Sequence, residues 1–458
     1  MKITKLLFTT IVITLLCLVS NAQRKQPNII IVFVDDLGYG DLSCYGHPTI
    51  RTPNLDRMAA EGMRFTQFYV GANVCSPSRS ALLTGRLPLR NGMTGENTPV
   101  LFPYSSGGFP ASEITVAEAL KTKGYTTGII GKWHLGHLPQ HLPANHGFDY
   151  YYGIPYSNDM LHTRNKSYPP LPLYKDSKLI GENPDQSVIT KAYTQEAISF
   201  IKKNKTKPFF LYYANNFPHE PLFVSEDFKG KSKRGLYGDV VEELDWSVGQ
   251  VLKTLKEQKL DKSTLVFFTS DNGPSVALQH KYAGGSAGLL YEGKKTTYEG
   301  GMRVPAIAWW PGKIPPNKIS EAIVTAMDLM PTIINLAKIE FPQDRVLDGV
   351  DIMPVLTGIS DKVSEMVYYY NKTTLHAIRK GDWKAHFYIL PSSAKSSEVG
   401  KKQEQPLLYN LNQDPSERFD VGKDHPEIIQ DLRQEYEKHT KSFNPMPLQF
   451  DKVINRKE

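Results

Sequence analysis

The chain has little cysteine, three residues in 458, and it has no long basic runs. Three cysteines cannot form a dense disulfide framework, and because no CxxC pair is present, a structural zinc site of that kind is excluded. The formal net charge of +7 is spread along the chain, which does not favour nucleic-acid binding. A hydrophobic fraction of 40% with 11% aromatic residues argues against intrinsic disorder. The length of 458 residues allows one large or two unequal globular domains.

The N-terminus has the pattern of a secretory signal peptide. Lys2 and Lys5 precede an apolar run at 6–19, and small residues lead to a cleavage position after Ala22. The run is short for a membrane span. Cleavage of residues 1–22 would also remove Cys17. We therefore predict a secreted or periplasmic protein with no membrane span after signal cleavage.

Continuous apolar runs predict strands that are buried on both faces. The first is Asn28–Val34, and comparable runs occur at 126–130, 208–214, 264–269 and 304–309. Amphipathic helical patterns lie between them, at 188–203 and 244–255. This alternation predicts an α/β fold with a doubly wound, mostly parallel sheet. Its ligand site is expected beyond the carboxyl ends of the strands.

The pattern changes after about residue 360. Short hairpin-spaced runs are followed by a helix-like segment; they lie at 366–370, 375–378, 383–390, 406–411 and 427–440. They predict a smaller C-terminal α+β subdomain containing an antiparallel sheet. The predicted division is a signal peptide at 1–22, the main α/β domain at 23–360 and the C-terminal subdomain at 361–458. The Lys-, Ser- and Glu-rich segment 394–405 is predicted to be an exposed loop.

Acidic and amide side chains follow two of the predicted strands. Asp35 and Asp36 end the first strand, while Asp271 and Asn272 follow the strand at 264–269. Adjacent carboxylates repel each other unless they are protonated or share a cation. Oxygen ligands favour a hard ion, Ca²⁺ or Mg²⁺. Capping of a following helix is the alternative for the first pair alone; the two clusters together favour a metal.

Two other motifs carry less weight. The segment Gly38–Ser43 resembles half of a dinucleotide fingerprint, but the third glycine is missing and nearby acids would repel a pyrophosphate. His134, His137 and His141 suggest zinc ligands. Because Pro139 lies among them, they cannot share one helical face as in HExxH.

The segment 75–86 is the most informative in the chain. Pro77 suits the first turn of a helix and Gly85 its end, which puts Cys75 at a helix N-terminus, where anions are attracted. Arg79 adds a cation suited to bidentate oxyanion contacts. From the residues alone, Cys75 is either a low-pKa nucleophile or a structural cysteine. Neither interpretation explains the whole segment.

This segment resembles the signature of the type I sulfatases, within the alkaline phosphatase-like superfamily. The match rests on Cys75-Ser76-Pro77-Ser78-Arg79 followed by Leu83-Thr84-Gly85-Arg86. Other stretches of the same family occur in order: Asp35-Asp36, Gly131–Gly136, Pro218-His219, Ser270–Gly273, Gly293–Gly301, Leu408–Leu411 and Asp414-Pro415. The resemblance covers about 27 to 420, and Ile154–Asp159 is similar to the arylsulfatase A and N-acetylgalactosamine-6-sulfatase branch.

The resemblance implies a sulfuric ester hydrolase acting on a sulfated carbohydrate or an aryl sulfate. It implies that Cys75 is converted to Cα-formylglycine (3-oxoalanine) by a formylglycine-generating or sulfatase-maturating enzyme. The hydrated aldehyde would be a gem-diol, one oxygen of which attacks sulfur. Cys44 would then be the only thiol of the mature chain, so no intramolecular disulfide could form.

The resemblance also implies the ligands of a calcium ion, preferred here over magnesium. They are Asp35, Asp36, Asp271, Asn272 and an oxygen of modified residue 75. Arg79, Lys132 and Lys294 would neutralise charge on the sulfuryl oxygens.

Proton transfers are assigned to histidine and lysine on the same basis. His219 and Lys294 would donate to the leaving alcohol, and His134 would help to deprotonate the second hydroxyl. The neighbouring Lys295 leaves the choice between the two lysines open.

Polar loop residues are expected to recognise the alcohol portion of the substrate. These are Ser157, Asp159 and His137, with His141, Asn158 and Arg164 as further candidates. Two alternatives stay open: a phosphomonoester or phosphodiester hydrolase of the same superfamily, and a non-catalytic glycan-binding relative.

Overall fold

The computed structural model describes residues 26–276, 284–395 and 398–454, so the predicted signal peptide at 1–22 lies outside the described residues. A mixed sheet of eleven strands forms the centre of the molecule. Its strands are β1 (Asn28–Val34), β2 (Met63–Tyr69), β3 (Thr126–Gly131), β4 (Tyr150–Gly153), β5 (Pro172–Lys175), β6 (Lys178–Glu182), β7 (Phe209–Ala214), β8 (Thr264–Ser270), β9 (Arg303–Trp309), β10 (Lys318–Ser320) and β11 (Val324–Thr325). The order is β10-β2-β9-β8-β1-β7-β3-β4-β5-β6, and β11 pairs with β2.

The centre of the sheet is parallel and covered on both faces. Strands β8, β1, β7, β3 and β4 pair in parallel. Along β1, Ile29, Ile31 and Phe33 belong to one apolar cluster, whereas Ile30 and Val32 belong to another on the opposite face. Burial on both sides explains why the sequence of β1 is continuously apolar.

Strand β9 corrects one prediction. It runs antiparallel to both neighbours, β2 and β8, although its apolar run was expected in a parallel sheet. Ala306 and Ala308 pack on one face of the sheet and Ile307 and Trp309 on the other. Burial on two faces therefore gives the same sequence pattern for either strand direction.

Helices cover both faces of this sheet, as a doubly wound fold requires. They are α1 (Pro53–Ala60), α2 (Cys75–Thr84), α3 (Pro88–Asn91), α4 (Val116–Lys121), α5 (Ile189–Lys203), α6 (Leu236–Glu257), α7 (Glu299–Met302), α8 (Leu329–Leu336) and α9 (Met353–Leu356). Buried residues of α5 and α6 pack in the cluster of Ile30, and those of α4 and α8 in the cluster of Ile29. The predicted helix at 244–255 is thus the C-terminal part of a longer one. Among the described residues, none of the helices has the length and apolarity that a membrane crossing needs.

A second, antiparallel sheet lies in the C-terminal region, as predicted. It contains β12 (Met366–Asn371), β13 (Thr374–Lys380), β14 (Trp383–Ile389) and β15 (Lys401–Asn410), followed by α10 (Pro426–Lys441). The loop predicted at 394–405 is wrong from Lys401 onwards, because Lys401 already pairs with Ile389. As β15 is an edge strand, its polar residues can remain in solvent.

A buried ionic network joins the two sheets. Glu299 accepts hydrogen bonds from Tyr69 (2.6 Å), Tyr369 (2.9 Å) and Lys384 (3.0 Å). Lys384 also lies 2.9 Å from Glu417, and both are fully buried. Because α7 follows closely after Lys294, this network fixes one end of the segment that carries that lysine.

Candidate active site

The two acidic clusters lie together at the sheet edge. Val34 is in register with Ser270, so the residues that follow β1 and β8 leave the sheet side by side. The backbone N–H of Asp36 donates to Asp271 Oδ1 (3.1 Å), and Asn272 Nδ2 donates to Asp36 Oδ1 (2.7 Å). Asp36 has a φ of 66°, a left-handed conformation that aspartate tolerates better than most residues.

Cys75 begins helix α2 and faces these carboxylates. The helix ends at Thr84, and Gly85 follows it as a left-handed C-cap with a φ of 67°, as the glycine at this position predicts. Cys75 Sγ lies 3.4 Å from Asp35 Oδ1. Burial and the charge of Asp35 raise the pKa of the Cys75 thiol well above its usual value. This disfavours the alternative in which a bare thiolate is the nucleophile.

Three cationic side chains contact the carboxylates of Asp35, Asp36 and Asp271. Arg79 Nη2 lies 2.7 Å from Asp271 Oδ2. Lys132 Nζ donates to Asp35, and Lys294 Nζ lies 2.7 Å from Asp36 Oδ1. The three carboxylates are therefore balanced by three cations that the sequence placed far apart.

The surroundings shift the pKa values of Asp35 and Asp271 in opposite directions. Burial raises the pKa of Asp35, but the charges of Lys132, His219 and Arg79 outweigh it and hold the pKa well below the ordinary value. Burial and the negative charge of Asp35 raise the pKa of Asp271. A divalent cation would favour the charged form of every one of these carboxylates.

A glycine sets the position of Lys132. Gly131 ends β3 with a φ of 113°, and a Cβ there would lie 1.9 Å from the carbonyl oxygen of Ala214. This close approach lets the Lys132 N–H donate to the same oxygen at 2.7 Å. The lysine side chain is thereby aimed at Asp35, and it is fully buried.

His134 has the environment of a neutral base. Its Nε2 lies 2.9 Å from the carbonyl oxygen of Leu101, so this nitrogen carries the proton in the neutral ring. Nδ1 is buried and has no hydrogen-bond partner among the described residues. Burial and the charges of Lys132 and Arg79 lower the pKa of His134 well below its ordinary value. Nδ1 is therefore available to accept a proton.

His219 lies on the other side of the acidic cluster. Its Nδ1 lies 2.5 Å from the carbonyl oxygen of Glu220, which accepts the Nδ1 proton. Its Nε2 lies 3.6 Å from Asp36 Oδ2. In the imidazolium form both nitrogens would be donors, and Nε2 faces the site.

These groups lie beside or beneath a cavity of about 210 Å³. Cys75, Asp36, His134, His219 and Lys294 line it directly. The cavity also has an apolar wall that no sequence motif indicated, formed by Val74, Pro99, Val100, Phe102 and Met160. A cavity lined by both charged groups and an apolar wall suits a ligand that carries an anionic group on a ring.

The residues predicted to bind the substrate are not all in this cavity. Ser157 and Asp159 line it; Ser157 Oγ accepts from Lys132 (3.1 Å), and Asp159 pairs with Arg164 (3.1 Å). His137 does not line it, because its ring packs edge-on against Tyr156.

Two further candidates also point elsewhere. His141 bonds to the carbonyl oxygen of Phe109, and Asn158 is buried against Gln186. Lys294 and its neighbour Lys295 both line the cavity.

The carboxylate and amide oxygens of this site suit a hard cation. Ligand atoms of Asp35, Asp36, Cys75 and His219 lie within 4.8 Å of one another. This group includes His219, which was not predicted as a ligand, and omits Asp271, which was. The buried Oδ1 of Asn272 has no hydrogen-bond partner among the described residues. An orphaned amide oxygen beside carboxylates is the arrangement that a calcium ligand would leave.

Two family models match successive parts of the chain. A family model described as "Sulfatase" matches residues 27–339, and one described as "C-terminal region of aryl-sulfatase" matches 362–458. The chain is 40% identical to N-acetylgalactosamine-6-sulfatase of Canis lupus familiaris, covering 92% of this chain and 87% of that protein. It is also 40% identical to human arylsulfatase A, covering 90% and 87% respectively.

A solved structure supports the fold independently. It comes from work on the metabolism of multiple glycosaminoglycans by Bacteroides thetaiotaomicron. The two chains are 31% identical and superpose with a TM-score of 0.80, covering 91% of this chain and all of the other.

Proposed function

The chain belongs to the sulfatase family and is a sulfuric ester hydrolase, and we propose that it acts through formylglycine derived from Cys75. The relatives named above are sulfatases, which hydrolyse sulfate esters. The strongest support for the role of residue 75 is its position: it heads α2 beside Asp35 in a cavity bordered by buried cations. In the structure this side chain is the unmodified thiol, and its Sγ marks where the oxygens of the modified residue would lie.

Formylglycine, in its hydrated form, supplies a hydroxyl nucleophile and a second hydroxyl whose deprotonation releases sulfate. A plain serine or cysteine ester has no such intramolecular exit. Helix α2 orients residue 75 through its first turn, and the helix dipole favours the negative charge of a sulfate there.

We further propose that Asp35, Asp36, Asp271, Asn272 and residue 75 hold a calcium ion. When bound, the ion would polarise a sulfate oxygen and lower the proton affinity of a neighbouring hydroxyl. Lys132 and Lys294 contact two of these proposed ligands, Asp35 and Asp36, so both ammonium groups lie beside the place where sulfate would bind.

Charge stabilisation is assigned to Arg79, Lys132 and Lys294. Arg79 is held by Asp271 and by the carbonyl oxygen of Lys132 (3.1 Å), so its guanidinium is fixed before the substrate arrives. Fixed charges in a site without water stabilise developing negative charge without reorganisation.

Proton transfers are assigned to His219, Lys294 and His134. His219 and Lys294 both contact Asp36 from the cavity side, where a leaving alcohol would need a proton. His134, neutral and with Nδ1 free, would accept the proton of the second hydroxyl.

The substrate class proposed is a sulfated carbohydrate, with aryl sulfates as convenient analogues. Ser157, Asp159 and Arg164 are proposed to contact the alcohol portion; His137 is proposed only as a support for Tyr156. We propose that residues 23–360 form the catalytic domain and 361–458 the C-terminal subdomain. We infer that removal of residues 1–22 gives a secreted or periplasmic enzyme.

The test is sulfate release by protein produced together with a formylglycine-generating or sulfatase-maturating enzyme. Aryl sulfate and sulfated sugars are compared with the matching phosphate mono- and diesters, and protein with Cys75→Ala is the control. Sulfate release that depends on maturation and on Cys75 is expected. Preference for the phosphate esters, or binding of glycan without turnover, would support the alternatives instead.

A further inference from the structure

A second cleft adjoins the main cavity on the side of the C-terminal sheet. The two share three lining residues, Val74, Pro99 and Lys295. The cleft measures about 20 Å³, which is too small for a sugar ring but leaves room for the head of a small functional group. It could therefore take the head of a functional group carried by a molecule seated in the main cavity.

The charge of this cleft is positive. Lys295, Lys372 and Lys395 line it, against one acid, Glu398. Glu398 accepts a hydrogen bond from the backbone N–H of Lys395. Lys295 makes no ion pair with any residue that the structure describes, whereas its neighbour Lys294 is paired with Asp36.

Two donors in the cleft lack acceptors. Lys372 Nζ and Asn371 Nδ2 are both buried, and within the described part of the chain neither has a hydrogen-bond partner. Burial lowers the pKa of Lys372, and the negative charge of Asp451 opposes this shift. A buried ammonium and a buried amide without acceptors are costly, and an anion would satisfy both.

The cleft is tied to the segment that carries residue 75. The backbone N–H of Lys295 donates to the carbonyl oxygen of Asn73 (3.0 Å), and Asn73 Nδ2 donates to Asn371 Oδ1 (3.4 Å). Asn73 lies two residues before Cys75. The distance from the cleft to the site of sulfate hydrolysis is therefore fixed by a short chain of contacts.

We propose that Lys295, Lys372 and Asn371 form an anion subsite for a carboxylate or second sulfate on the sugar next to the sulfated one. The natural substrate would then be an acidic oligosaccharide rather than a neutral one. This rests on the proposed function of the main cavity. The shared lining residue Lys295 marks where the two sugars would meet.

The backbone provides matched variants. Lys372 has a φ of 54° and Lys338 a φ of 53°, and asparagine tolerates this conformation. Lys338 is exposed and lines neither cavity. Lys372→Asn therefore removes the charge with little strain in the turn, and Lys338→Asn is the control for the same change elsewhere.

The first measurement is kcat/KM for sulfated disaccharides whose neighbouring sugar carries a carboxylate, a second sulfate or neither. Wild type should prefer the disaccharides whose neighbouring sugar carries a carboxylate or a second sulfate. Lys372→Asn should lower that preference in kcat/KM by roughly tenfold. Lys372→Arg should restore most of it, and Lys338→Asn should behave as wild type. Comparison of the carboxylate with the second sulfate identifies which anion the subsite takes.

The second measurement is binding of the same disaccharides to proteins with Cys75→Ala, with and without Lys372→Asn. It separates the two proposals, because it needs no turnover. If wild type releases no sulfate from any substrate, the proposed function fails, while the binding series still tests the subsite. An unchanged anionic preference in both series, with Lys372→Asn folded by circular dichroism, would overturn the subsite. If Lys372→Asn does not fold, Lys295→Asn is tested instead, by the same preference for a neighbouring sugar with a carboxylate or a second sulfate.

Discussion

Sγ of Cys75 lies 3.4 Å from Oδ1 of Asp35, while Oδ2 of the same carboxylate accepts a hydrogen bond from Lys132. The group proposed to become the nucleophile and a cation proposed to bind sulfate thus share one carboxylate. Because Asp35 is also a proposed ligand of the cation, we expect metal binding and substrate binding to be coupled through this carboxylate.

Replacement of Cys75 should abolish turnover and leave the fold intact. Cys75→Ala removes the only side chain placed to be modified, whereas the loss of one small buried group should cost no more than about 1–2 kcal/mol of stability. Sulfate release and the thermal melting curve provide the measurement. Cys44→Ser is the control and should retain activity, because Cys44 does not line the cavity and serine keeps the backbone N–H that donates to Asp56. Activity in Cys75→Ala would refute the assignment.

Lys294 should matter more for the chemical step than Lys295. Lys294 contacts Asp36 at 2.7 Å, but Lys295 faces the boundary of the two cavities. Lys294→Met should lower kcat by about a hundredfold or more, as removal of a transition-state donor does. Lys295→Met should mainly raise KM for substrates whose neighbouring sugar carries a carboxylate or a second sulfate. Equal losses of kcat in the two variants would show that the lysines are not distinguished in this way.

Removal of calcium should lower both activity and thermal stability. An ion that binds only the folded state stabilises it by about 2.7 kcal/mol at a hundred times its Kd. The melting temperature should therefore rise when Ca²⁺ is added to chelated protein, and less with Mg²⁺. Asp36→Asn should lose this rise.

Asp41→Asn is the matched control for the calcium experiment. Asp41 lies in the same segment, but its carboxylate accepts from the backbone N–H groups of Gly38 (2.7 Å) and Ser286 (2.8 Å). Its variant should keep the calcium-dependent rise even if it melts at a lower temperature. A rise that persists in Asp36→Asn would place the ion elsewhere.

The network between the sheets should make stability fall in acid. Burial would raise the pKa of Glu299, but the charges of Lys384, Arg379 and Arg303 prevail and lower it to about 2. A carboxyl with a depressed pKa contributes stability above its unfolded pKa and loses that contribution as the pH falls towards the folded value. The stability difference between wild type and Glu299→Gln should therefore be largest above pH 4.5 and shrink below it.

Urea unfolding at a series of pH values measures this difference. Glu365→Gln, at an exposed ion pair with Lys362, is the control and should show little difference at any pH. A difference between wild type and Glu299→Gln that stays constant down to pH 3, roughly a unit above the folded value, would contradict the role assigned to Glu299.

The sequence predicted the parts of the site that lie at strand ends. Asp35 and Asp271 were expected together because neighbouring parallel strands end at one edge, and the register of Val34 with Ser270 places them there. The apolar wall at 99–102 could not be predicted, because it belongs to a loop without a motif and its position depends on long-range packing. The direction of β9 was missed for the reason that burial on both faces hides it.

Side-chain direction was also beyond the sequence. His134 and His137 are three residues apart, yet only His134 lines the cavity. The φ of 57° at His134 and the φ of 120° at Gly136 turn the chain between them, and such local geometry is not visible from residue types.

The central claim is that residue 75 is formylglycine in the active enzyme. Trypsin should release residues 65–79 as one peptide, because Arg64 and Arg79 bound it and no lysine or arginine lies between. Mass spectrometry of this peptide from active protein is the most direct measurement. Conversion of the side chain from CH₂SH to CHO should lower the peptide mass and allow capture by an aldehyde reagent. An intact cysteine in protein that releases sulfate at the full rate would contradict the account.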